Sequence, residues 1–78
     1  MYNADPDYTL SAELITDTAA HTGGFKSIFF YENTQVNTAS SNLTGNSINS
    51  ETFPAGSTIY GLFTSITLSS GACLAYKI

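Results

Sequence analysis

From Thr58 to Leu68 the chain places Tyr60, Leu62, Ile66 and Leu68 at even positions, the period-2 mark of a strand with one face on a core. The odd positions are mixed. Ile59 and Phe63 stand beside Gly61, Ser65 and Thr67, so the second face is expected to be part covered by a neighbouring chain or loop. Before this strand, Pro54 and Gly56 mark a β-turn that delivers Ser57 in an extended conformation. After it, Ser69-Ser70-Gly71 offers a hairpin turn with a φ-permissive glycine, and Ala72, Leu74, Tyr76 and Ile78 alternate along a return strand. The pattern predicts a hairpin on which the rest of the chain packs, with the C-terminus locked into the sheet.

The remaining segments read as short strands and turns. Residues 1–7 carry Tyr2 as their only large apolar side chain among Asn3, Asp5, Pro6 and Asp7, which predicts an arm. From Tyr8 to Thr16, Tyr8, Leu10, Ala12 and Leu14 oppose Thr9, Ser11 and Glu13 until Ile15 breaks the alternation, a half-buried strand. Asp17 to Gly24 is a connection whose paired glycines permit a tight reversal. Phe25 to Asn33 has Phe25, Phe29 and Tyr31 on one face and Ile28 and Phe30 on the other, so it is a central strand or one whose outer face meets another subunit. Thr34 to Ser41 reads as an edge strand or a loop, and the Gly45-Asn46 signal between Leu43 and Ile48 suggests a second hairpin ending at Phe53. About six strands without helical periodicity predict an all-β fold: a small antiparallel β-sandwich or partly open barrel, with an arm at 1–7 and one β domain at 8–78.

Composition decides what such a domain can do. Ten serines, eleven threonines and six asparagines supply a polar surface while only 10% of the 78 residues are charged, which suits β structure and excludes a disordered chain. A net charge of −4 with two lysines and no arginine argues against nucleic acid, whose binding rests on cationic contacts. No apolar run reaches a membrane span and no basic-then-apolar leader is evident, so synthesis in the cytoplasm is expected. The apolar area that 78 residues can bury barely offsets their conformational entropy, and the single Cys73 rules out an internal disulfide. Self-association is the remaining stabiliser. Ile28, Phe30, Ile59 and Phe63 are the residues expected at the subunit interface.

Little in the sequence points to catalysis. His21 is the only histidine, and no motif joins it and Asp17 to a particular serine. A hydrogen bond fixing its turn is the expected role. Cys73 reads as a buried filler, the six acids are too scattered for a calcium site, and the glycines lack the lysine of a phosphate loop. No enzyme activity, metal or cofactor is expected.

The order His21-Thr22-Gly23-x-Phe25, Leu43-Thr44-Gly45-Asn46, Phe53-Pro54-Ala55-Gly56-x-Thr58-Ile59-Tyr60-Gly61-x-Phe63-Thr64-Ser65, Leu68-x-Ser70-Gly71 and Ala75-Tyr76 resembles small β-structured virion proteins of tailed bacteriophages, the capsid decoration or cement proteins. The likeness covers roughly residues 8 to 76. It implies a non-enzymatic protein of the virion that binds the assembled head, with the major capsid protein or another virion protein as partner and a homo-oligomer, favoured as a trimer, as its state. Tyr2, Pro6 and Tyr8 are then expected in the capsid-contacting arm. The alternative reading is a receptor- or glycan-binding module of a tail fibre or tip.

Overall fold

The computed structural model describes residues 11–78, and its strands are β1 (Ala12–Ile15), β2 (His21–Phe30), β3 (Thr34–Ser41), β4 (Thr52–Phe53), β5 (Ser57–Ser70) and β6 (Cys73–Lys77). Every pairing is antiparallel, and the six strands form one open sheet in the order β1-β6-β2-β5-β3-β4. The all-β antiparallel class read from the sequence is the class observed, as a single sheet that does not close into a barrel. The arm at 1–7 with Tyr2 and Pro6, and the Tyr8 to Leu10 part of the expected first strand, lie outside the described residues.

A single sheet buries a core by bending, and β5 is where it bends. Its first half pairs with β2 from Ser57↔Phe30 to Tyr60↔Ser27, and its second half pairs with β3 from Phe63↔Ser41 to Ser70↔Gln35. Between Phe63 and Ser65 the registers slip: β2 advances three residues, Thr22 to Phe25, against two on β5, while β3 advances only from Ser40 to Ser41. Such a bulge bends the strand and changes which parity faces inward. Phe63 points in on one side of the slip, and Ile66 and Leu68 point in on the other, all at 0% exposure. Tyr60 and Leu62, expected on the core side, are 74% and 42% exposed instead.

A second slip, between Phe25 and Ser27, does the same in β2. Phe25, Ile28 and Phe30 join Ile15, Val36, Cys73 and Ala75 in the core cluster, while Ala39, Ile48, Phe53 and Ile59 pack against it. Each large side chain fully removed from water contributes roughly 1.5–3 kcal/mol. The Phe30 and Phe53 rings stack with centroids 4.6 Å apart. Gly23 and Gly24 lie inside β2 and not in a reversal, because the connection has already closed at Ala19, whose N–H donates to the Asp17 carboxylate at 3.1 Å. On β1 the residue that breaks the alternation, Ile15, is the buried one, and Leu14 is exposed. Residues 42–51 hold no strand, so the second hairpin expected there is replaced by a loop that leads into β4.

The largest departure concerns Ser69-Ser70-Gly71. It does not close a hairpin, since β6 lies between β1 and β2 and pairs with both. The chain turns across the start of β3 instead. The buried Thr34 hydroxyl accepts the Ala72 N–H at 3.1 Å, and its own proton is within reach of the carbonyls of Ala72 at 3.0 Å and Glu32 at 2.9 Å. A Cβ on Gly71 would sit 2.4 Å from Thr34 Oγ1 and 2.5 Å from the Asn33 carbonyl, at φ +90°. Gly56 also has positive φ, +92°, but open space around it. Gly71→Ala should therefore cost on the order of 4 kcal/mol, strain plus a clash with backbone, and Gly56→Ala only about 1 kcal/mol. Urea unfolding of the two variants checks this; equal midpoints would refute the Gly71–Thr34 contact.

Candidate functional site

Because alternate residues of a strand point to opposite faces, the burial of Ile15, Cys73, Phe30 and Ile28 on one side fixes what stands on the other. Two registered rows cross β1, β6, β2 and β5 on that outer face. One runs Leu14↔Leu74↔Phe29↔Thr58, and the next runs Ala12↔Tyr76↔Ser27↔Tyr60. Leu14 is 58% exposed, and Leu62 continues the face beyond Tyr60 on β5. Phe29, Leu74 and Tyr76 are half-buried, and Ser27 is covered between its tyrosine neighbours. No position in either row carries a charge. An apolar and aromatic face of this kind, spread over four strands and bordered by polar residues, marks a binding surface.

The residues expected at a subunit interface are not on this surface. Ile28, Phe30 and Phe63 are core side chains at 0% exposure, and Ile59 packs against them. They lie on the strands that carry the face but at the opposite parity, because in β2 and β5 both parities hold large apolar residues. Tyr60 was the usable signal: a ring with a polar tip suits a face that meets water.

A second feature joins three strands at one end of the sheet. His21 opens β2, with its Nε2 2.8 Å from Asp17 Oδ1 and its Nδ1 hydrogen-bonded to Glu13 Oε2 on β1. Glu13 Oε1 lies 3.7 Å from Lys77 Nζ on β6. The hydrogen bond to Asp17, then that to Glu13, holds the His21 pKa above its ordinary value, and the His21 hydrogen bond, then the Ala19 N–H, holds Asp17 below its own. With a carboxylate at each ring nitrogen, both nitrogens donate and neither keeps a lone pair for a nucleophile. The arrangement is an ionic clamp, a stronger form of the turn-fixing role expected of His21. Cys73 is fully buried, and desolvation pushes its thiol up to about 11, which leaves it protonated and inert.

The third feature is a shallow cleft of about 360 Å³ between the end of β3 and the following loop, lined by Ser40, Ser41, Asn46 and Ser47 with Leu43 and Ile48. Among the described residues no group of three or more His, Cys, Asp or Glu side chains is placed to hold a metal ion. Comparison with protein-family models, curated proteins and solved structures finds no match for the chain.

The clamp gives stability a defined pH dependence. A raised His21 pKa contributes stability that is complete below its ordinary 6.5 and is lost as pH rises through the folded value. A lowered Asp17 pKa contributes stability that is present above 3.8 and is lost as pH falls through its folded value. Unfolding midpoints should therefore decline on the alkaline side of pH 6.5, and His21→Gln should flatten that limb. A wild-type midpoint that rises there would contradict the clamp.

Proposed function

We propose that the chain is a non-enzymatic structural protein that acts by surface association: a bacteriophage virion component of the decoration or cement kind, held on the assembled head as a small homo-oligomer. The observation that carries association is the uncharged outer face from Leu14 to Tyr60, a surface built for contact and not for turnover. The virion setting rests on the turn and strand resemblance alone. The partners are the major capsid protein or another virion protein and further copies of the chain. Tyr2, Pro6 and Tyr8 are assigned to the capsid contact, since an arm without a core of its own can order on a neighbouring surface.

One observation favours the second reading, a receptor- or glycan-binding module of a tail fibre or tip. The cleft beside β3 offers hydroxyls and an amide over two aliphatic side chains, with no charge, a lining that matches a neutral hydroxylated ligand.

Stoichiometry separates the readings. Quantitative mass spectrometry of purified particles should find the chain in hundreds of copies if it decorates the head. A few copies per particle would support the tail reading, and absence from particles would overturn both. Removing residues 1–7 should lower occupancy on particles that lack the protein while leaving the melting temperature unchanged, as expected of an arm whose only large apolar side chain is Tyr2. Full occupancy by the truncated chain would take the arm out of the contact.

A further inference from the structure

The outer face bears on a narrower question than the virion setting, namely what covers it. We infer that its occupant is a second copy of the same chain, packed face to face through Leu14, Phe29, Tyr60, Leu62, Leu74 and Tyr76 to make a two-sheet sandwich about a two-fold axis. The inference rests on the reading of this face as the working surface.

Charge is the first argument. A chain of net charge −4 repels its own copy, and the described charges, Glu13, Asp17, Lys26, Glu32, Glu51 and Lys77, all lie off the two rows that build the face. The rows themselves set no charge against a charge, and the neighbouring Lys26, exposed beside Ser27, is a cation in an acidic chain, so like-charge repulsion is weakest here. Shape is the second. One open sheet with a buried inner face and an apolar outer face has the surface of half a sandwich, in which two sheets pack about 10 Å apart with strands near −30°.

Area is the third argument. Tyr60, three-quarters exposed, offers roughly 150 Å² on its own. With Leu14, Leu62 and the half-buried Phe29, Leu74 and Tyr76, each copy presents on the order of 550 Å², or about 1,100 Å² for the pair, which reaches the ~1,000 Å² that a specific interface needs. An interface at that lower limit belongs to the smallest specific contacts, so the equilibrium is sought at micromolar concentrations. An isologous contact also needs only one patch, since each copy supplies both sides.

Sedimentation velocity on the full chain, over a hundredfold concentration range reaching about 200 µM, tests this. The wild type should show a reversible monomer–dimer equilibrium. Tyr60→Lys and, separately, Leu14→Lys should weaken it at least tenfold by placing an unpaired ammonium in the apolar contact. Asn46→Lys, on the loop away from the face, should leave it unchanged. Amide NMR spectra confirm that each variant keeps the fold, as the exposure of both positions predicts. A wild type that stays monomeric throughout, or a dimer indifferent to both face variants, overturns the inference. Particle stoichiometry fails separately: a monomer found in hundreds of copies per particle would assign the face to the capsid surface, whereas a dimer absent from particles would leave the pairing intact and overturn the virion setting.

Discussion

The Thr34 hydroxyl is the contact on which the topology turns. It is fully buried, and it joins the first residue of β3 to Ala72, 38 positions later, by accepting one backbone hydrogen bond and donating its proton toward the carbonyls beside it. That junction lets β5 end beside β3 while β6 begins beside Phe30 and Ile15. Without it, the connection at Gly71 and Ala72 would hold a buried N–H with no partner, a loss of about 1–3 kcal/mol from a fold whose total stability is about 5–15 kcal/mol. Gly71 serves the same junction by lacking a side chain, because Asn33 and Thr34 occupy the space a Cβ would need.

Strand existence was legible in the sequence because period-2 alternation is local: β5 and β6 fall where the alternation places them, while β2 begins at His21, four residues before the Phe25 expected, and ends at Phe30. Facing and order were not, for physical reasons that particular residues show. In β5 the inward set passes from Ile59 and Phe63 to Ile66 and Leu68 through a bulge at Thr64 and Ser65, and a bulge has no signature in a strand where both parities are apolar. In the Ser69 to Gly71 turn, the glycine that signals a hairpin is equally required by close passage over Thr34. Gly23 and Gly24 looked like a reversal, but they lie at a register slip inside β2. The site was legible to the same depth. Its strands could be named, and its face could not.

The ionic clamp bears on that face through β1. This strand has four residues, pairs only with β6, and adds only Ile15 to the core. Alternation puts Glu13 on the same side as Ile15, where a carboxylate half removed from water needs partners, and His21 and Lys77 supply them. The carboxylates and cations then come from three neighbouring strands and the β1–β2 connection. Holding β1 on β6 keeps Leu14 opposite Leu74. The charge state of His21 and the outer edge of the apolar face are thus connected through one short strand.

How the sheet treats its edges decides between two modes of association. Unpaired edges invite strand-by-strand addition, and the β3 side is closed against it within the chain. Val36 donates its N–H to Glu51 and accepts the Ser50 N–H, the Asn49 side chain takes the Ala39 N–H, and β4 pairs with Thr34 and Gln35. Asn42 likewise answers both backbone groups of Leu62, where β5 outruns β3. Among the described residues, β1 at the opposite side is four residues long, a short template for a ladder. Among the described residues the edges are therefore capped or brief, while the face from Leu14 to Tyr60 has no cover. With Asn42 and Asn49 closing backbone groups at the β3 side and Tyr60 and Tyr76 on an open face, the described sheet is arranged for packing between sheets rather than for extending one.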